Sequence, residues 1–432
     1  MADVLLTHSN HVYSDRKQVE KMRPWPPLQT LLAASALRDA GNSVTVYDPA
    51  LEPPSHDLVA AFTAALERER PRLAVVCEDD FNFLSKMCLL RNRELAFAFA
   101  AAAKRLGVPV VVHGSDASDQ KQAYLAAGFD RVLLGEVEPQ LVDKVRNPWP
   151  RPAWDLIDIE RYREAWTRTH GYFSMNMVAS RGCPYRCNWC AKPVFGDSYR
   201  VRPAADVAAE MRYVKDSFWP DRLWFADDIF ALSPKWAYEF ADAVERLDAR
   251  IAFQMQSRCD LMTRETVEAL RRAGCEEVWM GAESGSQKIL DAMDKGIRVQ
   301  QIRAARENLR RHGIRACFFL QFGYPGETWE EVEATVRMVR EAAPDDIGIS
   351  VSYPLPGTKF FNMVSEKLGP VANWSDSADL AMIYRGAYSS DFYRALADAL
   401  HLEVRGGEGL AAAWRRVAEM EPAAAAMEEV AQ

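Results

Sequence analysis

Arg181-Gly182-Cys183-Pro184-Tyr185-Arg186-Cys187-Asn188-Trp189-Cys190 sets three cysteines at Cys-x3-Cys-x2-Cys spacing within one short run. Three thiolates on one loop can hold three corners of a cubic iron–sulfur cluster, which leaves the fourth iron without a protein ligand. An open metal position is where a substrate or cosubstrate binds, whereas a closed four-ligand site is structural or carries electrons. A structural zinc loop is the competing reading. It calls for a fourth Cys or His at short range, and the nearest His is His170, thirteen residues before Cys183.

Around this loop the sequence alternates strand-like and helix-like runs. Strands are predicted at 173–179, 222–226, 252–256, 277–281, 316–322 and 347–353, with helices between them, for example at 204–215, 233–247 and 264–273. Ser233 is a plausible N-cap and Pro234 suits the first helical position, where its missing N–H costs nothing. Six βα units fit a partial (β/α)6 barrel at 171–370 better than a closed eight-fold one, and the Cys loop then follows the first strand on the catalytic face. Upstream, residues 1–145 show the same rhythm, with strands at 4–7, 43–47, 73–77, 108–112 and 131–134. This predicts a doubly wound, Rossmann-like parallel sheet with its ligand crevice at the carboxyl ends of the strands. Residues 146–170, with Pro148, Pro150, Pro152, Trp149 and Trp154, read as an ordered crossing linker, and 371–432 as a small, mostly helical cap. The fold class is α/β.

The bulk numbers narrow the setting. The chain has 432 residues, 49% hydrophobic and 26% charged, with a net charge of −8. It is globular, and it lacks the basic surface that a nucleic-acid partner would need. Eight cysteines, three clustered and five scattered, do not form a disulfide framework. Cys77, Cys259, Cys275 and Cys317 read as structural thiols, and Cys88 is ambiguous. There is no visible signal peptide and no apolar run long enough to span a bilayer. The expectation is a soluble, cytoplasmic, reduced and oxygen-sensitive protein.

The Cys spacing, with an aromatic before the third cysteine, resembles the signature of the radical S-adenosylmethionine (SAM) superfamily. That resemblance implies a [4Fe-4S] cluster on Cys183, Cys187 and Cys190, and SAM bound at successive strand ends. Trp189 would pack near the adenine, the alternative being an ordinary aromatic shelf. Asp227 and Asp228 in Phe225-Ala226-Asp227-Asp228 would meet the SAM amino group, the alternative being an N-cap acid pair. Arg258 could pair the SAM carboxylate bidentately, the alternative being a salt bridge to Asp260 or Glu283. Glu283 and Ser284 would serve the ribose or amino group, and the loops carrying Gln321 and Pro354 would border the adenine. The open iron then implies reductive cleavage of SAM to a 5′-deoxyadenosyl radical that abstracts a hydrogen atom.

A Rossmann-like domain ahead of such a barrel resembles the cobalamin-binding class of the superfamily. The domain order is similar to that of the anaerobic magnesium-protoporphyrin IX monomethyl ester cyclase group. The implied cobalamin residues are Ser9 and Asn10 after strand one, Pro27 and Leu28 opening the first helix, Asp79, Asp80 and Phe81 after strand three, Gly114 and Ser115 after strand four, and Gly135, Glu136 and Glu138 after strand five. The Asp-x-His-x-x-Gly motif that would give cobalt a lower His ligand is absent, and His8, His11 and His113 lack its context. A nucleotide-binding domain is the competing reading, but no Gly-x-Gly-x-x-Gly follows strand one. The resemblance implies methyl transfer from methylcobalamin to an unactivated carbon of a small, natural-product-like substrate, with a flavodoxin or ferredoxin as reductant. A radical oxidative cyclase or rearrangement enzyme and a cluster-bearing electron carrier are the alternatives. Tyr384-Arg385-Gly386 and Tyr388 are candidates for the substrate pocket.

Overall fold

Two parallel sheets organise the chain in a computed structural model, which describes residues 2–78, 89–191, 194–196, 198–368 and 380–429. The first holds β1 (Val4–Thr7), β2 (Val44–Tyr47), β3 (Leu73–Cys77), β4 (Val110–His113) and β5 (Arg131–Leu133), in the order β2-β1-β3-β4-β5. Its strands are Val-rich and carry helices on both faces, as a doubly wound sheet requires. The chain reverses direction across the sheet between β1 and β3, so the crevice opens at the carboxyl ends of those two strands.

The second sheet is made by β6 (Ser174–Met177), with β7 (Ser180–Arg181) and β8 (Arg200–Val201) following it outside the sheet, then β9 (Arg222–Phe225), β10 (Ala252–Ser257), β11 (Cys275–Glu283), β12 (Arg315–Phe322) and β13 (Asp346–Val351). Its order is β13-β12-β11-β10-β9-β6, all parallel, with β6 and β13 left as edges. The run expected as one strand at 173–179 is broken. Asp227 accepts from the Ala179 N–H, and β7 leaves the sheet to pair antiparallel with β8. This small hairpin brackets the three cysteines.

The helix Pro234–Arg246 has Ser233 at its N-cap and Pro234 in its first turn, but the Ser233 hydroxyl makes no capping bond. The helix Arg264–Ala273 is capped by the Thr263 hydroxyl on the Thr266 N–H at 3.3 Å. The expected crossing linker contains a helix of its own, Ile159–His170, capped by Asp158 and burying Ile159, Tyr162 and Trp166.

That helix and the loop ahead of Leu28–Asp39 join the two sheets. Trp25 lies 4.7 Å from the Trp166 ring and 4.9 Å from the Trp224 ring on β9. Trp166 Nε1 donates to the Pro24 carbonyl at 2.6 Å, and Asn176 Nδ2 on β6 donates to the Pro26 carbonyl at 3.0 Å. In the helix Leu28–Asp39, Leu28, Leu31 and Leu32 belong to the large barrel core, while Ala33, Ala34 and Leu37 face the first sheet. Pro27 and Leu28 were expected at the cobalamin crevice. Leu28 packs in the shared core, and Pro27 is buried beside it at the helix start.

Among the described residues no helix is long and apolar enough to cross a membrane. The expected residues Asp79, Asp80, Phe81 and Cys88, and 371–379 of the cap, lie outside the described residues.

Trp25→Ala is expected to cost about 3–5 kcal/mol, the usual loss for a large aromatic in a packed core. Denaturant unfolding followed by tryptophan fluorescence and by far-UV dichroism should show both sheets weakened. A loss below about 1 kcal/mol would remove Trp25 from the shared core.

Candidate active site

Gly182 opens the cysteine loop with φ +77°, and a Cβ built there would stand 2.1 Å from the Ser198 carbonyl oxygen, so only glycine lets the two arms of the loop close. Cys183, Cys187 and Cys190 are in no disulfide, and each is partly exposed. The Cys190 N–H donates to the Cys187 carbonyl at 3.2 Å. Asn188 pins the loop to the barrel: its N–H donates to the Met293 carbonyl at 3.0 Å, its Nδ2 to the Ala292 carbonyl at 2.6 Å, and its Oδ1 accepts from the Tyr324 hydroxyl at 2.9 Å. Among the described residues no three His, Cys, Asp or Glu side chains converge on a point that could hold one metal ion. A cubic cluster does not ask this of its thiolates, since each binds a different iron. The donor set, three accessible thiols on one loop, fits such a cluster.

Two cations stand beside it. Arg258 Nη1 is 3.9 Å from Cys187 Sγ, and the guanidinium lies 3.6 Å from the Tyr185 ring centroid. Lys295 Nζ, also buried, binds Glu283 Oε1 at 2.6 Å, and this carboxylate, with Cys187 nearby, holds the ammonium above its ordinary range despite burial. By contrast, Cys259 is a buried thiol pushed up to about 12 by desolvation, and Cys275 and Cys317 are pushed up in the same way. Those three are inert core thiols.

The residues expected to meet SAM already have partners within the protein. Arg258 is not a free fork. Its Nε and Nη2 are taken by Asp260 at 2.9 and 3.1 Å, and Nη2 also donates to the Lys295 carbonyl at 2.9 Å. Asp227 is turned inward, accepting from the Ser180 hydroxyl at 2.5 Å and the Ala179 N–H, and burial pushes its carboxyl up to about 7. Its neighbour Asp228 is exposed. Ser284 is fully buried; its hydroxyl meets the Thr335 hydroxyl at 3.2 Å and accepts from the Ser286 N–H, so it braces the loop. Gln321 ties β12 to the end of β13 through the Ser352 hydroxyl at 2.9 Å. Pro354 is buried just beyond β13. Trp189 packs against the apolar cluster of Ile289, Met293, Tyr324 and Phe360, with Lys295 Nζ 5.9 Å from its ring centroid.

Glu283 has a different character. It holds φ +59° at a register shift between β11 and β12. A non-glycine residue in this region costs about 1–2 kcal/mol, and bulges of this kind re-aim side chains at strand ends. A Cβ at Gly281 would come within 2.5 Å of both Glu283 Oε1 and Lys295 Nζ, so the glycine makes room for the pair.

In the first sheet, Ser9 donates to Glu78 Oε1 from its N–H at 3.2 Å and from its hydroxyl at 2.5 Å, and Asn10 Oδ1 accepts from Asn92 Nδ2 at 3.0 Å. Gly114 packs against Glu78, whose Cβ would lie 2.7 Å from an added Cβ, and Ser115 follows it, partly buried. The Gly135 carbonyl is 2.8 Å from His113 Nε2. Glu136 and Glu138, expected at the cobalamin crevice, are engaged by Arg181: 3.0 Å to Glu136, and 2.6 and 3.1 Å to Glu138. Tyr384 is buried with its hydroxyl on the Gly323 carbonyl, and Tyr388 stacks on Phe392 at 4.2 Å.

Residues 177–339 match the family model described as the Radical SAM superfamily. This segment is a radical SAM domain. An uncharacterised methyltransferase of Pyrococcus horikoshii is 28% identical over 244 residues, 54% of this chain and 52% of that protein. The hopanoid C-3 methylase of Methylococcus capsulatus is 26% identical over 377 residues, 79% of this chain and 69% of that protein. The anaerobic magnesium-protoporphyrin IX monomethyl ester cyclase of Rubrivivax gelatinosus is 26% identical over 250 residues, 56% of this chain and 43% of that protein. The match to the first of these spans about half of the relative's length. Among solved structures, the radical SAM methyltransferase TsrM from Kitasatospora setae, with cobalamin and a [4Fe-4S] cluster bound, superposes with TM-score 0.68 at 20% identity, covering 85% of this chain and 78% of that one. At that identity the likeness is one of fold, and it extends over both parallel sheets.

Sequence reasoning missed Arg181, Tyr185, Asn188, Lys295 and Glu327. Lys295 sits in the turn Asp294-Lys295-Gly296, a signal open to many readings. Glu327 is buried at the end of the β12 loop, with Oε2 accepting from the Gly323 N–H at 2.6 Å, and burial pushes its carboxyl up to about 8. A carboxyl raised this way stabilises the fold below its unfolded value near 4.5 and loses that contribution as pH rises through 8. Glu327→Gln should therefore melt close to wild type at pH 5 and roughly 4 °C above it at pH 9. A pH-independent difference in melting temperature would contradict the assignment.

Proposed function

We propose that the chain is a cobalamin-dependent radical SAM enzyme that methylates an unactivated carbon of a small molecule. The observation that carries this reading is the placement of the three-cysteine loop on the catalytic face of an open parallel barrel, clamped against a second parallel sheet at its crevice. When bound, the cluster and SAM supply a 5′-deoxyadenosyl radical and cobalamin supplies the methyl group.

In this reading Cys183, Cys187 and Cys190 hold the cluster. Arg258 and Lys295 offset the negative charge gathered at the thiolates, and Tyr185 and Asp260 fix the guanidinium. Glu283 and Asp228 stand at strand ends where the polar groups of SAM would lie, and Trp189, Gln321 and Pro354 form the wall behind them. Ser9, Asn10, Gly114, Ser115 and Gly135, with the Glu78 carboxylate bonded to Ser9, offer a polar, hydrogen-bonding crevice suited to the amide-fringed corrin. With no His motif, the cobalt takes no imidazole from this crevice. Residues 1–145 are the cobalamin unit, 146–170 the connection, 171–370 the barrel and 371–432 the cap under which the substrate lies. The setting is the cytoplasm, the reductant a flavodoxin or ferredoxin, and no nucleic acid takes part. A radical cyclisation is the second reading, favoured by the likeness to the cyclase of Rubrivivax gelatinosus.

Anaerobic reconstitution should load about four irons per chain, and replacing all three cysteines with Ala should remove them. Iron retained in the triple variant would refute the ligand assignment. With SAM and a reductant, 5′-deoxyadenosine marks the radical step, and S-adenosylhomocysteine in addition marks methyl transfer. 5′-Deoxyadenosine without S-adenosylhomocysteine would favour cyclisation.

Gly114→Val should displace Glu78 into the crevice and abolish cobalamin uptake while iron loading stays intact. Bound cob(II)alamin in the wild type should show no nitrogen splitting from protein in its EPR spectrum. A wild-type protein that loads iron but never cobalamin would refute this half of the reading.

A further inference from the structure

The cation at the foot of the cysteine loop has a role that neither cluster ligation nor SAM binding explains. Arg181 lies two residues before Cys183, on β7, with 1% of its side chain exposed. Both carboxylates that answer it lie in the turn that follows β5 of the first sheet. Nη2 meets Glu138 Oε1 at 2.6 Å, and Nη1 bridges Glu138 Oε2 at 3.1 Å and Glu136 Oε2 at 3.0 Å. Glu138 is itself only 2% exposed and also accepts from Gln29 Nε2 at 3.4 Å. Glu136 is shared with Arg200 on β8, the other strand of the hairpin. The Trp149 ring closes the arrangement, its centroid 4.9 Å from the Arg181 guanidinium. On the far side the 135–138 turn continues to the Gly135 carbonyl, bonded to His113 at the end of β4.

We propose that Arg181 is a positioning residue that couples the cysteine loop to the 135–138 turn, so that filling the cluster site orders the edge of the crevice in the first sheet. A planar fork fixes both distance and orientation, which a point charge does not. Arg181 is joined to Cys183 by one residue, Gly182, whose backbone runs so close to the Ser198 carbonyl that no side chain would fit there. A shift of the cysteines must therefore move the fork, and the fork cannot move without uncovering two carboxylates, one of them fully buried. The inference rests on the cluster reading above and extends it to the way the two sites communicate.

The test is hydrogen exchange on the full chain, with and without the reconstituted cluster. In the wild type, iron loading should slow exchange in peptides covering 182–190 and, by about tenfold, in peptides covering 131–142. In Arg181→Lys, which keeps the charge and loses the fork, the gain at 182–190 should remain and the gain at 131–142 should vanish. A salt bridge that merely holds the fold together would speed exchange in both cluster states and leave the cluster-dependent increment unchanged, so an unchanged increment in Arg181→Lys overturns the proposal. If that variant does not fold, Glu138→Gln, which leaves Glu136 on Arg181, is read in the same way. A wild type that loads iron and protects 182–190 without changing 131–142 overturns the coupling and leaves the cluster reading standing. A wild type that takes up no iron removes the cluster reading itself, and the coupling with it.

Discussion

A guanidinium withdrawn from water has to be answered by carboxylates, and Arg181 finds its answer just past the last strand of the first sheet. Much else in the structure follows from that requirement. The turn after β5 must present Glu136 and Glu138 at the height of the cysteine loop. The hairpin of β7 and β8 must leave the barrel sheet to bring Arg181 and Arg200 to them, and Asp227 supplies the means by capturing the backbone where β6 ends. Removing one partner would strand a buried charge at a cost of about 3–5 kcal/mol, far more than a surface pair is worth. The two sheets are thus registered at their carboxyl ends by ion pairs and lower down by the Trp25, Trp166 and Trp224 rings.

The electrostatics of the cysteine loop are arranged in layers. Arg258 faces Cys187 at 3.9 Å and Lys295 lies close enough to feel its charge, and each is steadied by an acid, Asp260 and Glu283. An ammonium or guanidinium held this way cannot swing off to solvent when a negative cluster is absent, so the positive potential is set in advance. Preorganised charge of this kind is worth more in a partly dry site than a mobile charge would be in water. The strained φ of Glu283 is the local cost of keeping that carboxylate aimed at Lys295.

The βα rhythm made the architecture legible, because period and length survive any rearrangement of partners. The two parallel sheets, the cysteine loop after the first barrel strand and the βα order of the barrel could be read from residues 4–134 and 173–353 alone. Side-chain roles could be read less well. Arg258 reads either as a fork for a carboxylate or as the partner of a nearby acid, and the structure pairs it with Asp260, two residues on. Glu136 and Glu138 look like crevice acids because their partner Arg181 is more than forty residues away in sequence. Pro27 and Leu28 look like a ligand-binding turn, yet the barrel claims Leu28 for its core. For the two glutamates and for Leu28, the local pattern is silent about a partner far along the chain.

The wedge around Trp25 also has a meaning in time. Its ring partner Trp224 is encoded nearly two hundred residues later. At about 5–20 residues per second of synthesis, the first sheet spends roughly 10–40 s with that indole and the Leu28–Leu32 face uncovered. The nascent chain therefore carries an apolar surface that only its own later half can bury. A barrel that stalls or misfolds leaves behind an adhesive first half, so the amount of usable protein in a cell depends on how promptly that half is shielded until β9 arrives.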